Sequence, residues 1–387
     1  MKVLIHVQHL LGSGHFVRMA LLAEALAKNN HQVILVSGGR PVPFDSRSFE
    51  LVQLPEIHCA PGDFTVLLDE QGKTLNETKK QQRSAALQSL VVNFNPDILL
   101  IESYPFGRKQ FEFELEPLIR TAKGLPKKPL IVSSIRDVLQ QRTELKERKA
   151  VEKIQKYFDG VLVHGDEDWV PIKQSFSLWR EIDEKLKYTG YICKPNPDAV
   201  SGVSRSNRQR NQEILVSAGG GAVGKQLIEI VLQTINLLSH DNCWRIRAGN
   251  QLDKRYLNYQ HPDPEFNVII EENKPDFVQR LGTCMLSISQ AGYNTCMDVL
   301  TNHTPAVFVP YAQAGETEQL QRSSTLQNLG RSVMIEEKDL SPELLARAIE
   351  DAIALDITKF DSPNTDGLTT SAALLQEMHE RHELITS

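Results

Sequence analysis

A histidine stands at the start of the first predicted helix, directly after a glycine-rich turn. Gly12, Ser13 and Gly14 separate the N-terminal strand from this helix, and His15 follows them. Glycines let a backbone approach a ligand closely, and the start of a helix offers unpaired N–H groups and a positive dipole end. An imidazole there could accept a proton near neutral pH, and Arg18 could meet a phosphate or a carboxylate. The alternatives are a simple tight turn and a solvated arginine.

Two acids follow neighbouring predicted strands of the first half. Glu102 closes the strand Asp97–Glu102, and Asp137 stands at the end of the next strand. Residues at the carboxyl ends of parallel strands point into the ligand crevice of such a sheet. Glu102 could therefore orient His15 and stabilise its imidazolium form, with Asp137 as a second candidate. Glu102 could equally be a surface carboxylate, and Asp137 could simply pair with Arg136.

Three consecutive glycines open the second half of the chain. Gly219, Gly220 and Gly221 follow the predicted strand Glu213–Ser217 and precede a helix. A glycine run between a strand and a helix has the form of a phosphate cradle. The spacing around Lys225 does not match a Walker A motif. The cradle has one alternative, a flexible loop.

The segment after the predicted strand Met285–Ser289 combines small and polar residues at the start of a helix. Small residues permit a close approach, and polar donors at a helix N-terminus suit a diphosphate. The carboxylate of Asp298, about one turn further on, can accept hydrogen bonds from two vicinal ribose hydroxyls. The candidate residues of segment 290–298 are Gln290, Ala291, Gly292, Asn294, Thr295 and Asp298. The alternative is an N-capped helix without a ligand.

Polar residues also stand at the head of the next predicted helix. Glu318 and Gln319 lie there, a few residues after the strand end at Tyr311. Their side chains suit the hydroxyl groups of a sugar. Because acids are favoured at helix N-termini, a capping role for Glu318 is the main alternative.

The elements that would position these residues alternate regularly along the chain. Short β-branched runs are followed by amphipathic stretches, which is typical of parallel βα units. The strands are almost entirely apolar, so helices should cover both faces of each sheet. Residues 196–212 have the composition of a linker. We therefore predict an α/β protein of two facing Rossmann-like domains, 1–195 and 213–387, with a cleft between them; the last helix could pack back on the first domain.

Composition narrows the class of protein. The 387 residues are 41% hydrophobic and 24% charged, which is typical of a folded chain of two domains. A net charge of −6 creates no overall field that would attract nucleic acid. The five scattered cysteines contain no CxxC pair, which argues against a disulfide framework or a zinc site and favours a reducing cytoplasm. No apolar run approaches the roughly 20 residues of a membrane span, so any membrane contact would be peripheral.

With these residues in view, the chain resembles the GT-B glycosyltransferases, and most closely their family 28. The similarity is most specific in the second half, from the three glycines through segment 290–298 to Gln319. The resemblance implies that the turn Ala291–Thr295 binds the donor diphosphate, that Asp298 holds the ribose, and that Gln319 contacts the donor sugar. The family usually has glutamate at the position of Asp298. This chain also has one additional residue in the loop before Gln319, which is a second departure from the family pattern.

The first half matches the family more loosely, through Gly12–His15. Its motifs GSGHFVR, PDILLIESYPFG, SIRDV, FDGVLVHGDED and YTGYI are similar to those of a bacterial group of predicted glycosyltransferases. In plant glycosyltransferases of the same fold, a histidine at the position of His15 is the base, and an acid at the end of the fourth strand supports it. Glu102 occupies the corresponding position here. The identity of the acceptor does not carry over.

The resemblance implies an inverting, metal-independent transferase that moves a sugar from a UDP-sugar to an acceptor hydroxyl, with His15 as the base. The UDP-sugar is a co-substrate, and no separate cofactor is expected. A UDP-sugar hydrolase of the same fold is the first alternative, because the enzyme that removes UDP in pseudaminic acid synthesis has a similar GxGHxxR opening. A non-catalytic nucleotide-sugar sensor is the second, although His15 and Glu102 would then have no chemical role.

Overall fold

The computed structural model divides the chain into two units, each containing its own parallel sheet. The first unit comprises Met1–Cys193 with Asn364–Ser387, and the second comprises Lys194–Pro363. Within the ranges that the structure describes, no helix has both the length and the apolar character to span a bilayer. The described residues are 1–10, 12–44, 48–60, 63–193, 210–217, 224–248, 256, 259–274, 276–312, 317–357 and 363–386.

The first unit contains a seven-stranded parallel sheet in the order β3-β2-β1-β6-β7-β8-β9. The side chains of its central strands are buried on both faces, as their continuous apolar runs predict. An antiparallel pair, β4 and β5, lies outside this sheet and was not predicted. The strands are β1 (Lys2–Val7), β2 (Gln32–Ser37), β3 (Glu50–Gln53), β4 (His58–Ala60), β5 (Asp63–Leu68), β6 (Ile98–Glu102), β7 (Leu130–Arg136), β8 (Gly160–His164) and β9 (Leu186–Tyr188). The helices are α1 (Gly14–Lys28), α2 (Glu77–Phe94), α3 (Glu112–Lys123) and α4 (Glu144–Tyr157).

The second unit contains a six-stranded parallel sheet in the order β12-β11-β10-β13-β14-β15. Its strands are β10 (Glu213–Ser217), β11 (Cys243–Ala248), β12 (Asn267–Glu272), β13 (Leu286–Ser289), β14 (Ala306–Phe308) and β15 (Val333–Met334). Its helices are α5 (Gly224–Thr234), α6 (Phe277–Leu281), α7 (Tyr293–Thr301), α8 (Glu318–Asn328) and α9 (Pro342–Ala354). Both units therefore have the Rossmann-like strand order, and the predicted α/β class is confirmed.

The strand order of each sheet reverses at one point. In the first unit β1 lies between β2 and β6, and in the second unit β10 lies between β11 and β13. Connections on the two sides of such a point run in opposite directions and leave a crevice at the carboxyl ends of the strands. The starts of α1 and α7, which follow β1 and β13, therefore lie beside the reversal point of their own sheets.

The last helix, α10 (Gly367–Thr386), belongs to the first unit. The Tyr191 amide donates to Asn364 O at 2.7 Å, and the Gly367 amide donates to Tyr191 O at 3.2 Å. A Cβ atom at Gly367 would lie 2.5 Å from Tyr191 O, so only glycine permits this close approach. Leu375 of α10 then packs into the same apolar cluster as α1. The second unit consequently ends before the predicted limit of residue 387.

A buried ion pair joins the helices of the first unit to its strand ends. Arg83 of α2 and Glu114 of α3 are both fully buried, and the guanidinium donates to the two carboxylate oxygens at 2.7 Å each. The same guanidinium donates to Gly38 O at 3.0 Å, to Gln8 Oε1 at 2.9 Å and to Pro55 O. The segments that follow β1, β2 and β3 are therefore held to α2 and α3 by one side chain.

We expect Arg83→Met to lower the free energy of unfolding by about 3–5 kcal/mol, because Glu114 would remain as an uncompensated buried charge. Urea unfolding followed by circular dichroism measures the change. Arg148→Met is the matched control, since it removes a half-exposed pair with Glu181 and should cost less than about 1 kcal/mol. Equal losses in the two variants would contradict the proposed importance of the buried pair.

Candidate functional site

His15 is held at the start of α1 by a carboxylate from the adjacent strand. His15 is the second residue of α1. The N-cap residue of this helix, Ser13, makes no side-chain capping hydrogen bond to it. The His15 Nδ1 atom lies 2.6 Å from Glu102 Oε1, and the imidazole retains 18% exposure. An ionised carboxylate only accepts hydrogen bonds, so Nδ1 carries the proton and Nε2 keeps its lone pair. The structure thus brings together the two residues that the sequence predicted as base and partner.

Glu102 concentrates its hydrogen bonds on one oxygen atom. Its Oε1 also accepts from Arg18 Nη2 at 2.5 Å and from Ser103 Oγ at 2.8 Å. The Oε2 atom is buried and has no hydrogen-bond partner within the described ranges. Arg18 is itself only 1% exposed. Of the two partners that the sequence allowed for Arg18, the structure shows the carboxylate, and a contact with a phosphate remains a prediction.

The protonation states of the pair follow from burial and from the neighbouring arginines. Burial lowers the pKa of His15 from 6.5 to about 3, although the Glu102 carboxylate acts in the opposite direction. Burial alone would raise the pKa of Glu102, but His15, Arg18 and Arg108 together hold it well below its usual range. Near neutral pH the site therefore contains a neutral imidazole beside an ionised carboxylate.

Asp137 occupies the same edge of the sheet, one strand further along. It follows β7, is fully buried, and accepts a hydrogen bond from the Val138 amide at 2.9 Å. A Cβ atom at Gly165 would lie 2.8 Å from the Asp137 Cβ, so the turn after β8 packs directly against this residue. A chemical role for Asp137 remains a prediction.

Two further residues near the pair were not among the predicted site residues. Ser103 and Arg108 lie in the loop after β6, and both adopt left-handed backbone conformations, with φ of 63° and 58°. Ser103 binds Glu102, and the positive charge of Arg108 lowers the pKa of both His15 and Glu102. Non-glycine residues with positive φ are uncommon and are concentrated at functional sites. The only sequence signal for them was the position of the loop at a strand end.

In the second unit, the turn after β13 leads into a helix that has an open N-terminus. Gly292 is the N-cap of α7 and supplies no side-chain capping bond. No described atom lies within 4 Å of the position that a Cβ atom would occupy at Gly292. The first-turn N–H groups of a helix lack intrahelical partners and, with the helix dipole, attract anions. This geometry suits the predicted diphosphate site.

The polar side chains of segment 290–298 lie on the accessible side of this turn. Gln290, Asn294, Thr295 and Asp298 are all partly exposed. Ala291 is fully buried, and the apolar residues between the polar positions of α7 pack into the interior of the unit. The helical period places Asn294 and Asp298, which are four residues apart, on the same face of α7.

The head of α8 is bound to the end of the β14 segment. Gln319 Oε1 accepts a hydrogen bond from the Tyr311 amide at 3.1 Å. Glu318 is the first residue of α8 and is 7% exposed, and its contact with a sugar remains a prediction. Arg322, one turn further on, was not predicted as a site residue. Its Nη1 atom donates to Ala291 O at 3.0 Å.

The three glycines Gly219, Gly220 and Gly221 lie outside the described residues. The elements on either side are described: β10 ends at Ser217, and α5 begins at Gly224. By strand register, Ser217 pairs with Arg247 on one side and with Ser289 on the other. The strand that precedes the glycine run in sequence, β10, is therefore the neighbour of β13, which leads into segment 290–298.

One group with the composition of a metal site occurs in the described ranges, at the other edge of the second sheet. The ligand atoms of His240, Asp263 and Glu265 lie within 4.8 Å of one another. These residues precede β11 and β12, whereas segment 290–298 follows the carboxyl end of β13. The group is therefore separate from the predicted diphosphate site.

Comparison with known families finds a match in the second half of the chain. Residues 214–371 match the glycosyltransferase family 28 C-terminal domain. The matched region begins in β10, includes segment 290–298 and α8, and extends into α10. It therefore contains every predicted site residue of the second half.

Related proteins that are named as enzymes each match less than half of the chain. One is the UDP-N-acetylglucosamine--N-acetylmuramyl-(pentapeptide) pyrophosphoryl-undecaprenol N-acetylglucosamine transferase of Sulfurihydrogenibium sp. (strain YO3AOP1). It is 39% identical over 180 residues, which are 46% of this chain and 45% of the relative. The enzyme of the same name from Gloeothece citriformis (strain PCC 7424) is 26% identical over 168 residues, or 43% of this chain and 41% of the relative. The matched region is thus less than half the length of these relatives.

Solved structures match the chain over nearly its whole length. MurG of Acinetobacter baumannii has a TM-score of 0.61 at 15% identity and covers 97% of this chain and 99% of its own. CalG4, the calicheamicin glycosyltransferase, has a TM-score of 0.63 at 15% identity and covers 98% of this chain and 99% of its own. UGT2 of Phytolacca americana, complexed with UDP-2fluoro-glucose and pterostilbene, has a TM-score of 0.58 at 13% identity. It covers 100% of this chain and 95% of its own. At these identities the similarity shows the fold, which is GT-B as predicted.

We expect the His15 imidazole to stay neutral from pH 8 down to about pH 5, with the proton on Nδ1, because its pKa lies below its usual value. Long-range ¹H–¹⁵N NMR spectra of the ring nitrogens measure both the charge and the tautomer, and His15→Gln assigns the signal by its loss. A titration midpoint near 6.5, or a proton on Nε2, would contradict the geometry.

Proposed function

Because residues 214–371 match the glycosyltransferase family 28 C-terminal domain and the chain has the GT-B fold, we propose that this protein transfers a sugar from a UDP-sugar to an acceptor hydroxyl. The second unit would bind the nucleotide, and the first unit would supply the base. The observation that carries the proposal is the hydrogen bond between His15 Nδ1 and Glu102, which leaves Nε2 free to accept a proton.

The proposed reaction is an inverting displacement. The acceptor oxygen attacks the anomeric carbon while the bond from this carbon to the diphosphate oxygen breaks, so that UDP leaves. His15 Nε2 takes the acceptor proton, and Glu102 stabilises the resulting imidazolium. Arg18 keeps the Glu102 carboxylate ionised, and the hydrogen bonds from Arg18 and Ser103 hold it in place, which makes both of them positioning residues.

The leaving UDP requires compensation of its negative charge. The N–H groups at the start of α7 and the side chains of Asn294 and Thr295 would bind the diphosphate, and the glycine run Gly219–Gly221 would add further backbone donors. Asp298 would accept hydrogen bonds from the ribose hydroxyls. With these donors, we propose that the reaction needs no metal ion, so turnover should be unchanged by a chelator.

We expect His15→Ala to lower turnover roughly 10²- to 10⁴-fold, the usual contribution of a general base, while UDP affinity stays nearly unchanged. Glu102→Gln should cause a smaller loss, because the amide still accepts from Nδ1 but no longer stabilises the imidazolium. A screen of UDP-sugars, with UDP release measured with and without candidate acceptors, provides the assay. Near-normal turnover of His15→Ala with a true acceptor would place the base elsewhere, and Asp137 would be tested next.

The same screen separates the proposed transferase from its two alternatives. Release of UDP that depends on an acceptor supports sugar transfer. Release at the same rate without an acceptor indicates a UDP-sugar hydrolase, in which His15 would activate a water molecule. Binding of UDP-sugars without release indicates a sensor, and neither result is compatible with the proposed reaction.

We expect UDP at 100 times its Kd to stabilise the folded protein by about 2.7 kcal/mol. Asp298→Ala should weaken UDP binding by about 1.5–3 kcal/mol, the range for a hydrogen bond to a charged group, and Asp298→Glu should largely preserve it. Isothermal titration calorimetry measures the affinities. Asp351→Ala removes an exposed acid from α9 and serves as the control. If Asp298→Ala loses stability but keeps its UDP affinity, the ribose role is wrong.

A further inference from the structure

Arg322 connects α8 to the turn at the start of α7. It is one of the largest fully buried side chains of the second unit, at 1% exposure. Its Nη1 atom donates to Ala291 O at 3.0 Å, across 31 residues of sequence. The carbon at the centre of the guanidinium also lies 5.7 Å from the centre of the Tyr293 ring. One planar cation therefore contacts the residues on both sides of Gly292.

The hydrogen bond from Arg322 to the Ala291 carbonyl determines the direction of the Gly292 N–H group. The peptide between Ala291 and Gly292 is trans, so its C=O and N–H groups point in opposite directions. Because Arg322 draws the Ala291 carbonyl into the interior, the Gly292 N–H is turned the other way. The space at the Gly292 Cβ position is open, and no hydrogen bond from this N–H to a described residue is found.

The contact with Tyr293 restricts the same turn from its other side. Tyr293 is the first residue of α7 and is 4% exposed, so its ring is part of the packed interior. An arginine over an aromatic face adds a cation–π attraction and keeps the guanidinium plane in one orientation. Gln319, one turn earlier on α8, holds the Tyr311 amide at 3.1 Å. The first turns of α8 are thus hydrogen-bonded to the segment that follows β13 and to the segment that follows β14.

From these contacts we propose that Arg322 is a positioning residue for the donor diphosphate: it fixes the Ala291–Gly292 peptide so that the Gly292 N–H faces the phosphate. This inference rests on the proposed function, because it takes UDP as the ligand of segment 290–298. Arg322 acts through the backbone and is not itself required to touch the nucleotide. Its removal should therefore weaken recognition of the phosphates and leave recognition of the nucleoside unchanged.

The experiment compares the affinities of UDP and uridine for the full-length protein and its variants. For Arg322→Met the Kd for UDP should rise about tenfold, equivalent to about 1.4 kcal/mol, while the Kd for uridine should change less than about twofold. Calorimetry measures UDP, and ligand-observed NMR measures uridine. Arg331→Met is the matched control, since Arg331 is also a buried arginine of this unit that donates to a backbone carbonyl, Ile357 O. It should lose thermal stability but keep the wild-type ratio of the two affinities.

Arg322→Lys keeps the charge but lacks the planar face, so it should show a smaller loss in the same direction; it serves as the test if Arg322→Met does not fold. A selective loss for UDP in either variant supports the inference. Equal losses for UDP and uridine indicate general damage to the fold and overturn it, as does a wild-type ratio in both variants. Failure of the wild-type protein to bind UDP would instead overturn the proposed donor, and the inference with it.

Discussion

The candidate site of the first unit depends on the hydrogen bonds that compensate the buried charge of Glu102. A carboxylate at 1% exposure is costly unless hydrogen-bond donors compensate for the water it has lost. Arg18, His15 and Ser103 supply these donors, from α1 and from the loop after β6. Since all three bind the same oxygen, the position of the start of α1 and the direction of the His15 ring depend on one atom. The free Nε2 of His15 is a consequence of this arrangement.

Buried arginines have a comparable role elsewhere in the two units. Arg83 binds Glu114 and the backbone after two strands, and Arg322 binds the backbone of the turn before α7. Arg247, also 1% exposed, pairs with Asp276 at 2.7 Å and with Glu271 at 2.9 Å. A guanidinium has five donors in a fixed plane, so one side chain can hold several segments that are distant in sequence. Loops at strand ends, which are otherwise mobile, are thereby given defined positions.

The two units contribute different kinds of electrostatics to the proposed reaction. The first unit removes water from an imidazole and so keeps it neutral, which a general base requires near neutral pH. The second unit presents the start of α7, where Gly292 supplies no side-chain cap and the partial positive charge of the helix end suits a departing diphosphate. Neither the neutral imidazole nor the start of α7 requires a charged group to move into the site during the reaction. This is the physical basis for proposing transfer without a metal ion.

Local sequence patterns were sufficient to predict the α/β class, most of the strands and the placement of His15, Glu102 and segment 290–298 at strand ends. These features follow from local patterns, because apolar runs, helical periods and glycines at strand ends act over fewer than about 20 residues. The short pair β4 and β5 escaped prediction, since His58–Ala60 is too brief to show a period. Four contacts became known from the packing of the elements: Arg18 binds Glu102, Arg83 binds Glu114, Arg322 binds Ala291, and α10 packs in the first unit. Each of these is a contact between residues at least 31 positions apart, and its formation depends on which elements the packing of the sheets brings together, which no local pattern records.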